Sequence, residues 1–189
     1  GTAALDAELP YHYATQISST TVTPAIMERI KKTGSKLWIY GLGRGRFERG
    51  FYFWKTGAEG CAVEGYLHVY GDPYDLFDGR SSISCGYVWP SPGGVVPALR
   101  WEWIREGIDD AKYLAHLDFL IKKAENSRKR DVLETAKKAK TVMKEIMAEI
   151  NPDINYYRNQ GFPENSVYDI WRWKIANEII GLEKIIREG

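Results

Sequence analysis

Cysteine, methionine and histidine are scarce in this chain: 189 residues include 2 Cys, 3 Met and 3 His. Cys61 and Cys85 form no Cys-x-x-Cys pair, so neither a structural zinc site nor a disulfide framework is expected. Both read as free thiols within strands. Net charge is also lacking. Against 26 Lys+Arg stand 25 Asp+Glu, a formal charge of +1, which leaves no basic excess for a polyanion and sets nucleic acid aside as a partner. The bases at Lys122, Lys123, Arg128, Lys129 and Arg130, and again at Lys137, Lys138 and Lys140, are interleaved with acids and read as a solvated helix face. No run approaches the ~18 apolar residues of a membrane span, and no basic segment leading into an apolar one opens the chain. No membrane partner is expected, and the compartment, secreted or cytoplasmic, stays open. No internal repeat is evident.

Aromatic residues, by contrast, are abundant, with 7 Trp and 12 Tyr. Sugar sites use such rings because the apolar face of a pyranose packs on a flat ring while its hydroxyls find polar partners at the edge. The competing reading, core and rim packing, suffices for most of them.

Taken in order, residues 5 to 14 read as a strand and its exit, with Pro10 limiting central pairing. Thr23-Pro24 is an N-cap and first-turn pair opening a short helix through Ile26, Met27 and Ile30, which Gly34 closes. Lys36 to Tyr40 is the next strand, and strand, helix, strand over this length is the signal of a parallel sheet. Gly41, Gly43 and Gly45, interleaved with Arg44 and Arg46, follow. Their spacing is not that of a dinucleotide loop and no Walker lysine follows, so an active-site loop at the C-terminal edge of a strand fits better than a phosphate cradle. Arg46 to Lys55 is then a helix burying Phe47, Phe51 and Trp54.

Gly60 to Tyr70 alternates. Cys61, Val63, Leu67 and Val69 form an apolar row, and Glu64, Tyr66, His68 and Tyr70 face the other way, into a space shared with Trp38 and Tyr40. Residues 71 to 79 carry Asp72, Asp75 and Asp78. Their spacing is not that of a calcium loop, so no metal is expected, and turn chemistry competes with recognition of substrate hydroxyls.

Residues 84 to 114 join the two halves: a short aromatic strand, a Pro/Gly loop, and a long helix from Pro97. Leu99, Trp103, Ile104, Ile108, Leu114, Leu117 and Ile121 recur at helical spacing as its buried stripe. A second helix over Ser127 to Ile150 has a seam of Val132, Ala136, Ala139, Met143, Ile146 and Ile150. Asn151-Pro152 breaks it, and residues 153 to 165 form a connector. A last helix from Ser166, with Asp169 as a capping-box acid, buries Ile170, Trp171, Ile175, Ile179, Leu182 and Ile186.

Within this stretch, Arg100-x-Glu102-x-x-Arg105-Glu106-Gly107-Ile108-Asp109-Asp110-x-x-Tyr113-Leu114, preceded by Pro-Gly-Gly and Val-Pro, resembles the C-terminal signature of glycoside hydrolase-like (β/α)-barrel proteins, an uncharacterised domain family related to glycoside hydrolase family 123. Residues 46–60 and 64–79 match in the same order, and the resemblance covers roughly residues 4 to 125. It implies an α/β fold, the C-terminal portion of a TIM-type barrel with about three parallel strands and their helices over residues 1–125, followed by a helical appendage over 126–189. Three strands cannot close a barrel, so either the chain is the C-terminal fragment of a longer one or a second copy completes the sheet.

The resemblance further implies a carbohydrate-active protein with a substrate-assisted mechanism and an Asp-Glu pair on an earlier strand. No strand here carries such a pair. This portion is therefore expected to supply cleft walls, with Trp38, Tyr40, Arg46, Glu64, His68, Tyr70 and Asp72 contacting a carbohydrate and no cofactor required. Glu64 and His68 are the local candidates for proton chemistry. Ahead of that stand the structural readings, Glu64 ion-paired with Arg46 or Arg100 and His68 as a hydrogen-bonded core residue. The alternating charges from Arg100 to Asp110 read as a salt network. The alternative function is a non-catalytic helical module that docks a partner or a second copy.

Overall fold

The computed structural model describes residues 14–18, 22–43, 45–62, 69–70, 72, 82–83 and 87–188. β1 (Ala14–Ser18), β2 (Lys36–Tyr40) and β3 (Gly60–Ala62) form a parallel sheet in the order β1-β2-β3, with Thr15 opposite Leu37 and Trp38 opposite Gly60. Between β1 and β2 lies α1 (Pro24–Thr33), started by Pro24 and by the Thr23 hydroxyl, which accepts the Ile26 N–H at 3.4 Å. It ends at Gly34, whose φ of 68° is a left-handed cap. β2 alternates as its composition requires: Leu37 and Ile39 are buried in the core, while Trp38 is 42% exposed on the opposite face and lies over Gly60.

α2 follows a glycine loop and consists of a π-helical stretch, Glu48–Tyr52, continued as Phe53–Thr56. Two antiparallel ribbons come next, β4 (Val69–Tyr70) with β5 (Ser82–Ile83), and β6 (Val88–Ser91) with β7 (Gly94–Pro97). The rest is helical: α3 (Leu99–Glu125), α4 (Arg130–Ala148), α5 (Ile154–Gln160) and α6 (Asn165–Glu188). Arg172 of α6 pairs with Glu106 of α3, and Glu183 pairs with His116, so these two helices run parallel. Lys140–Glu125 and Lys138–Glu178 place α4 antiparallel to both.

The chain is predominantly helical, and the expectation of a TIM-type barrel portion is overturned. Helices of 27, 19 and 24 residues carry most of the core, whereas among the described residues no strand exceeds 5 residues. Of the strand expected over Gly60 to Tyr70, the described residues are Gly60–Ala62, which lie in the parallel sheet, and Val69–Tyr70, which pairs antiparallel in a different sheet; residues 63–68 lie outside the described residues. Alternation marks extended chain with two unlike faces, but it does not name the neighbouring strand.

One apolar cluster runs without a break from Val22 and Ile39 through Phe51, Leu117 and Ile146 to Leu182. The seam of α4 is buried as expected at Val132, Ala136, Ala139, Ile146 and Ile150. Two stripes need correction. In α3 the buried face is Gly107, Asp110, Leu114, Leu117, Leu120, Ile121 and Ala124, and Leu99, Trp103 and Ile108 are exposed. In α6 Tyr168 is buried and Ile170 is exposed. The first of these has a direct cause. α2 and α3 cross so closely that a Cβ on Gly50 would lie 2.8 Å from the Gly107 carbonyl oxygen, and one on Gly107 would lie 2.8 Å from the Arg49 Cβ. Large side chains on that face of α3 would push the helices apart.

Candidate functional site

The glycine loop after β2 builds one edge of a cleft. The Gly41 N–H donates to the Ala62 carbonyl at 2.8 Å, anchoring the loop to β3. Gly43 has φ of 110°, where a side chain is strained, and its carbonyl accepts the Arg49 Nε–H at 2.8 Å. Both Gly43 and Gly45 leave room for the Glu48 side chain, which occupies the space their Cβ atoms would take. The Glu48 carboxylate accepts backbone N–H groups of Gly45 and of Glu48 itself. Burial pushes its pKa above the ordinary glutamate value, against the pull of Arg49 and Arg158. The π-helical widening of α2 begins at this residue, an irregularity that recurs at functional sites.

Beneath the loop sits an aromatic cluster. Phe47 packs edge-on to Tyr157 at 4.8 Å, stacks with Tyr168 at 5.7 Å and meets Phe162 at 6.0 Å between centroids. The Tyr168 hydroxyl donates to the Pro163 carbonyl at 2.5 Å, which fixes the ring at the start of α6. With Trp103 and Arg100 from the first turns of α3, and Asn165 and Tyr168 from the first turn of α6, these groups enclose a cleft of about 600 Å³. That volume lies within the usual range for small-molecule sites. Trp103 is 43% exposed there, so part of its ring is free to be covered.

Under the cleft, Asp110 is fully buried and binds two guanidinium groups. Arg46 donates to it from Nε at 2.7 Å and from Nη2 at 3.3 Å, and Arg172 donates from Nε at 2.5 Å. Arg46 Nη1 also reaches Asp169 at 2.6 Å, and Arg172 reaches the Glu106 carboxylate at 2.8 Å and its backbone carbonyl at 2.9 Å. Arg46 further lies 5.6 Å from the centre of the Tyr168 ring. The charges of the Arg100 to Asp110 motif thus divide. Arg105 forms a surface set with Glu102, Glu106 and Asp109, while Glu106 and Asp110 tie α3 to α6 and α2.

Among the described residues expected to contact a ligand, Arg46 is the one that lines this cleft, and its guanidinium is ion-paired with Asp110 and Asp169. Trp38 and Tyr40 lie on β2 away from the lining, and Asp72 is exposed elsewhere. Glu64 and His68 lie outside the described residues, as does the side chain of Tyr70. The cleft assembles Glu48, Arg100, Trp103, Phe162, Asn165 and Tyr168, of which the sequence reading named Arg100 as an ion-pair partner and Trp103 as part of a buried helix stripe. The available signal was position. Gly43 and Gly45 announce a loop, and Glu48 stands at the start of the helix it feeds.

Among the described residues no group of three His, Cys, Asp or Glu could hold a metal, and no helix is long and apolar enough to cross a membrane. Comparison with protein-family models, curated proteins and solved structures gave no match. The functional reading therefore stands on the residues and their geometry.

Proposed function

We propose that the chain is a carbohydrate-binding protein and that the cleft between the glycine loop and the starts of α3 and α6 is its site. The observation that carries this is the partly exposed Trp103 ring, which lines the cleft together with the rings of Phe162 and Tyr168 and the polar groups of Glu48, Arg100 and Asn165. A sugar needs that combination, an apolar face for its C–H groups and edge polar groups for its hydroxyls. Glycoside hydrolysis calls for two carboxyl groups about 5 to 10 Å apart, and Glu48 is the single carboxyl in the described lining. The described residues therefore support binding, and Glu48, with its pKa raised by burial, is their one candidate proton donor.

The test is titration of the chain with a panel of oligosaccharides, followed by Trp fluorescence and calorimetry. Trp103→Ala is expected to weaken the best ligand at least ~10-fold with thermal stability unchanged. Failure of every sugar to bind, or full affinity in Trp103→Ala, would refute the assignment.

A second reading, a helical interaction module, is favoured by one observation. Ile170, Trp173 and Ile180 are 55%, 68% and 62% exposed along one side of α6. A self-association driven by that stripe would make the sedimentation coefficient depend on concentration in the parent and not in Trp173→Asp.

A further inference from the structure

We infer that the ligand of this cleft bears a carboxylate, which makes acidic sugars of the uronic acid class its natural occupants. The inference rests on the carbohydrate reading above and adds the charge of the ligand to it.

Three charged residues line the described cleft, and two are already answered. Arg46 is neutralised by Asp110 at 2.7 Å and by Asp169 at 2.6 Å. The Glu48 carboxylate is turned back onto the Gly45 amide of the glycine loop and feels the charges of Arg49 and Arg158. Glu164, exposed between the lining residues Pro163 and Asn165, is the nearest acid outside the lining in sequence. Arg100 is the third. It is exposed, it lines the cleft, and it has no ion-pair or hydrogen-bond partner among the described residues. A guanidinium presents a planar fork that matches a carboxylate with two parallel hydrogen bonds, and here that fork is uncommitted.

The helix placement acts in the same direction. α3 and α6 run parallel and both begin at the cleft, so their positive ends point at one volume. α3 has Ala98 as its N-cap with no side-chain cap; its Trp101 N–H donates to the Ala98 carbonyl at 2.9 Å, and the N–H groups of Leu99 and Arg100 have no side-chain acceptor. Its one first-turn acid, Glu102, is paired with Arg105 at 2.8 Å, and α6 has no acid in its first turn. An inorganic anion would satisfy these donors but would leave the Trp103 ring uncovered. A neutral sugar would cover the ring and leave Arg100 unanswered. A sugar carrying a carboxylate at its edge satisfies both.

The decisive experiment is calorimetry on the full chain with di- and trisaccharides of glucuronate and galacturonate, their glucose and galactose counterparts, and acetate and inorganic phosphate as simple anions. The uronates are expected to bind at least ~10-fold tighter than the neutral counterparts, with a preference that shrinks as salt rises. In Arg100→Ala the ratio of acidic to neutral affinity is expected to fall to about one, and Arg100→Lys to recover only part of it. Because Arg100 is exposed, thermal unfolding of both variants is expected to match the parent, and the salt dependence of the parent gives a reading independent of them. Equal affinity for acidic and neutral sugars would overturn the carboxylate assignment and leave the carbohydrate reading standing. Acetate or phosphate binding as tightly as the uronates would make this an anion site without sugar recognition and overturn both. Absence of any binding would do the same. A preference retained in Arg100→Ala would overturn Arg100 as its anchor.

Discussion

Asp110→Ala removes the one acceptor shared by two guanidinium groups in the core, and its cost can be worked from their surroundings. The Asp110 side chain is 0% exposed, and those of Arg46 and Arg172 are 10% and 25% exposed. Truncation deletes three charge-assisted hydrogen bonds and leaves both cations with little access to water. Removing one partner of a buried ion pair typically costs about 3–5 kcal/mol, because an uncompensated charge remains inside. Here Arg46 keeps Asp169 and Arg172 keeps Glu106, so the expected loss lies at the lower end, about 3 kcal/mol. In urea, with a slope of about 2 kcal/mol per M, the midpoint falls by about 1.5 M at an unchanged slope. Glu102→Gln, which breaks a pair whose side chains are 54% and 45% exposed, serves as the control and is expected to change stability by less than ~0.5 kcal/mol. An Asp110→Ala loss below ~1 kcal/mol would refute the view that the motif around Asp110 is a structural tie.

Gly107→Ala places a methyl 2.5 Å from the Arg46 carbonyl oxygen and 2.8 Å from the Arg49 Cβ. Both contacts come from α2 and the two residues leading into it, so the crossing must open, and a loss of about 1–3 kcal/mol is expected in thermal or urea unfolding. A variant as stable as the parent would show that α2 and α3 are not held at that distance. For Glu48, burial raises the folded-state pKa, so the folded chain takes up its proton at a higher pH than the unfolded chain does. Ionised Glu48 thus costs stability above its folded pKa. That cost is relieved as pH falls through the folded value toward the unfolded one near ~4.3. Relative to Glu48→Gln, which does not titrate, the parent is expected to gain stability between about pH 7 and about pH 4.5. Paired urea unfolding curves would expose the error if the difference stayed flat or moved the other way.

What was legible in the sequence was local. Thr23-Pro24 and Gly34 bound α1 because a capping hydroxyl, a missing N–H and a left-handed residue each act within one turn. The seam of α4 was legible because a single amphipathic face meets a single partner layer. The barrel was not legible as a mistake, since the alternation of Gly60 to Tyr70 describes strand faces and says nothing of how many strands lie alongside. The stripe of α3 failed in its first half because its partner there is a glycine-lined crossing, where a buried face carries Gly107 and Asp110 in place of leucines. The salt network was legible only where it is intrahelical. The pairing of Asp110 with Arg172 spans 62 residues, and that with Arg46 spans 64, so neither leaves a periodic trace. Glu48 was missed for a related reason. A single glutamate at a helix start is an ordinary capping acid until the loop before it folds over its carboxylate.

Arg46 shows how the cleft and the core are connected, since it lines the one and is ion-paired in the other. Three of its five N–H donors are engaged by Asp110 of α3 and Asp169 of α6, while its backbone leads into α2. These three segments are the walls of the cleft. Arg46 therefore acts by fixing where Glu48, Arg100 and Asn165 stand relative to one another, and a neutral bridge of the same length could not replace it, because two carboxylates at different depths must be answered by one planar cation. Burying that much charge has a desolvation cost that apolar packing at this crossing would avoid. Apolar side chains there would leave the starts of α3 and α6 free to slide along the ridges they share with α2. Directional bonds at 2.7 and 2.6 Å limit that slide, and a site that must hold a ring and an anion at once depends on the limit.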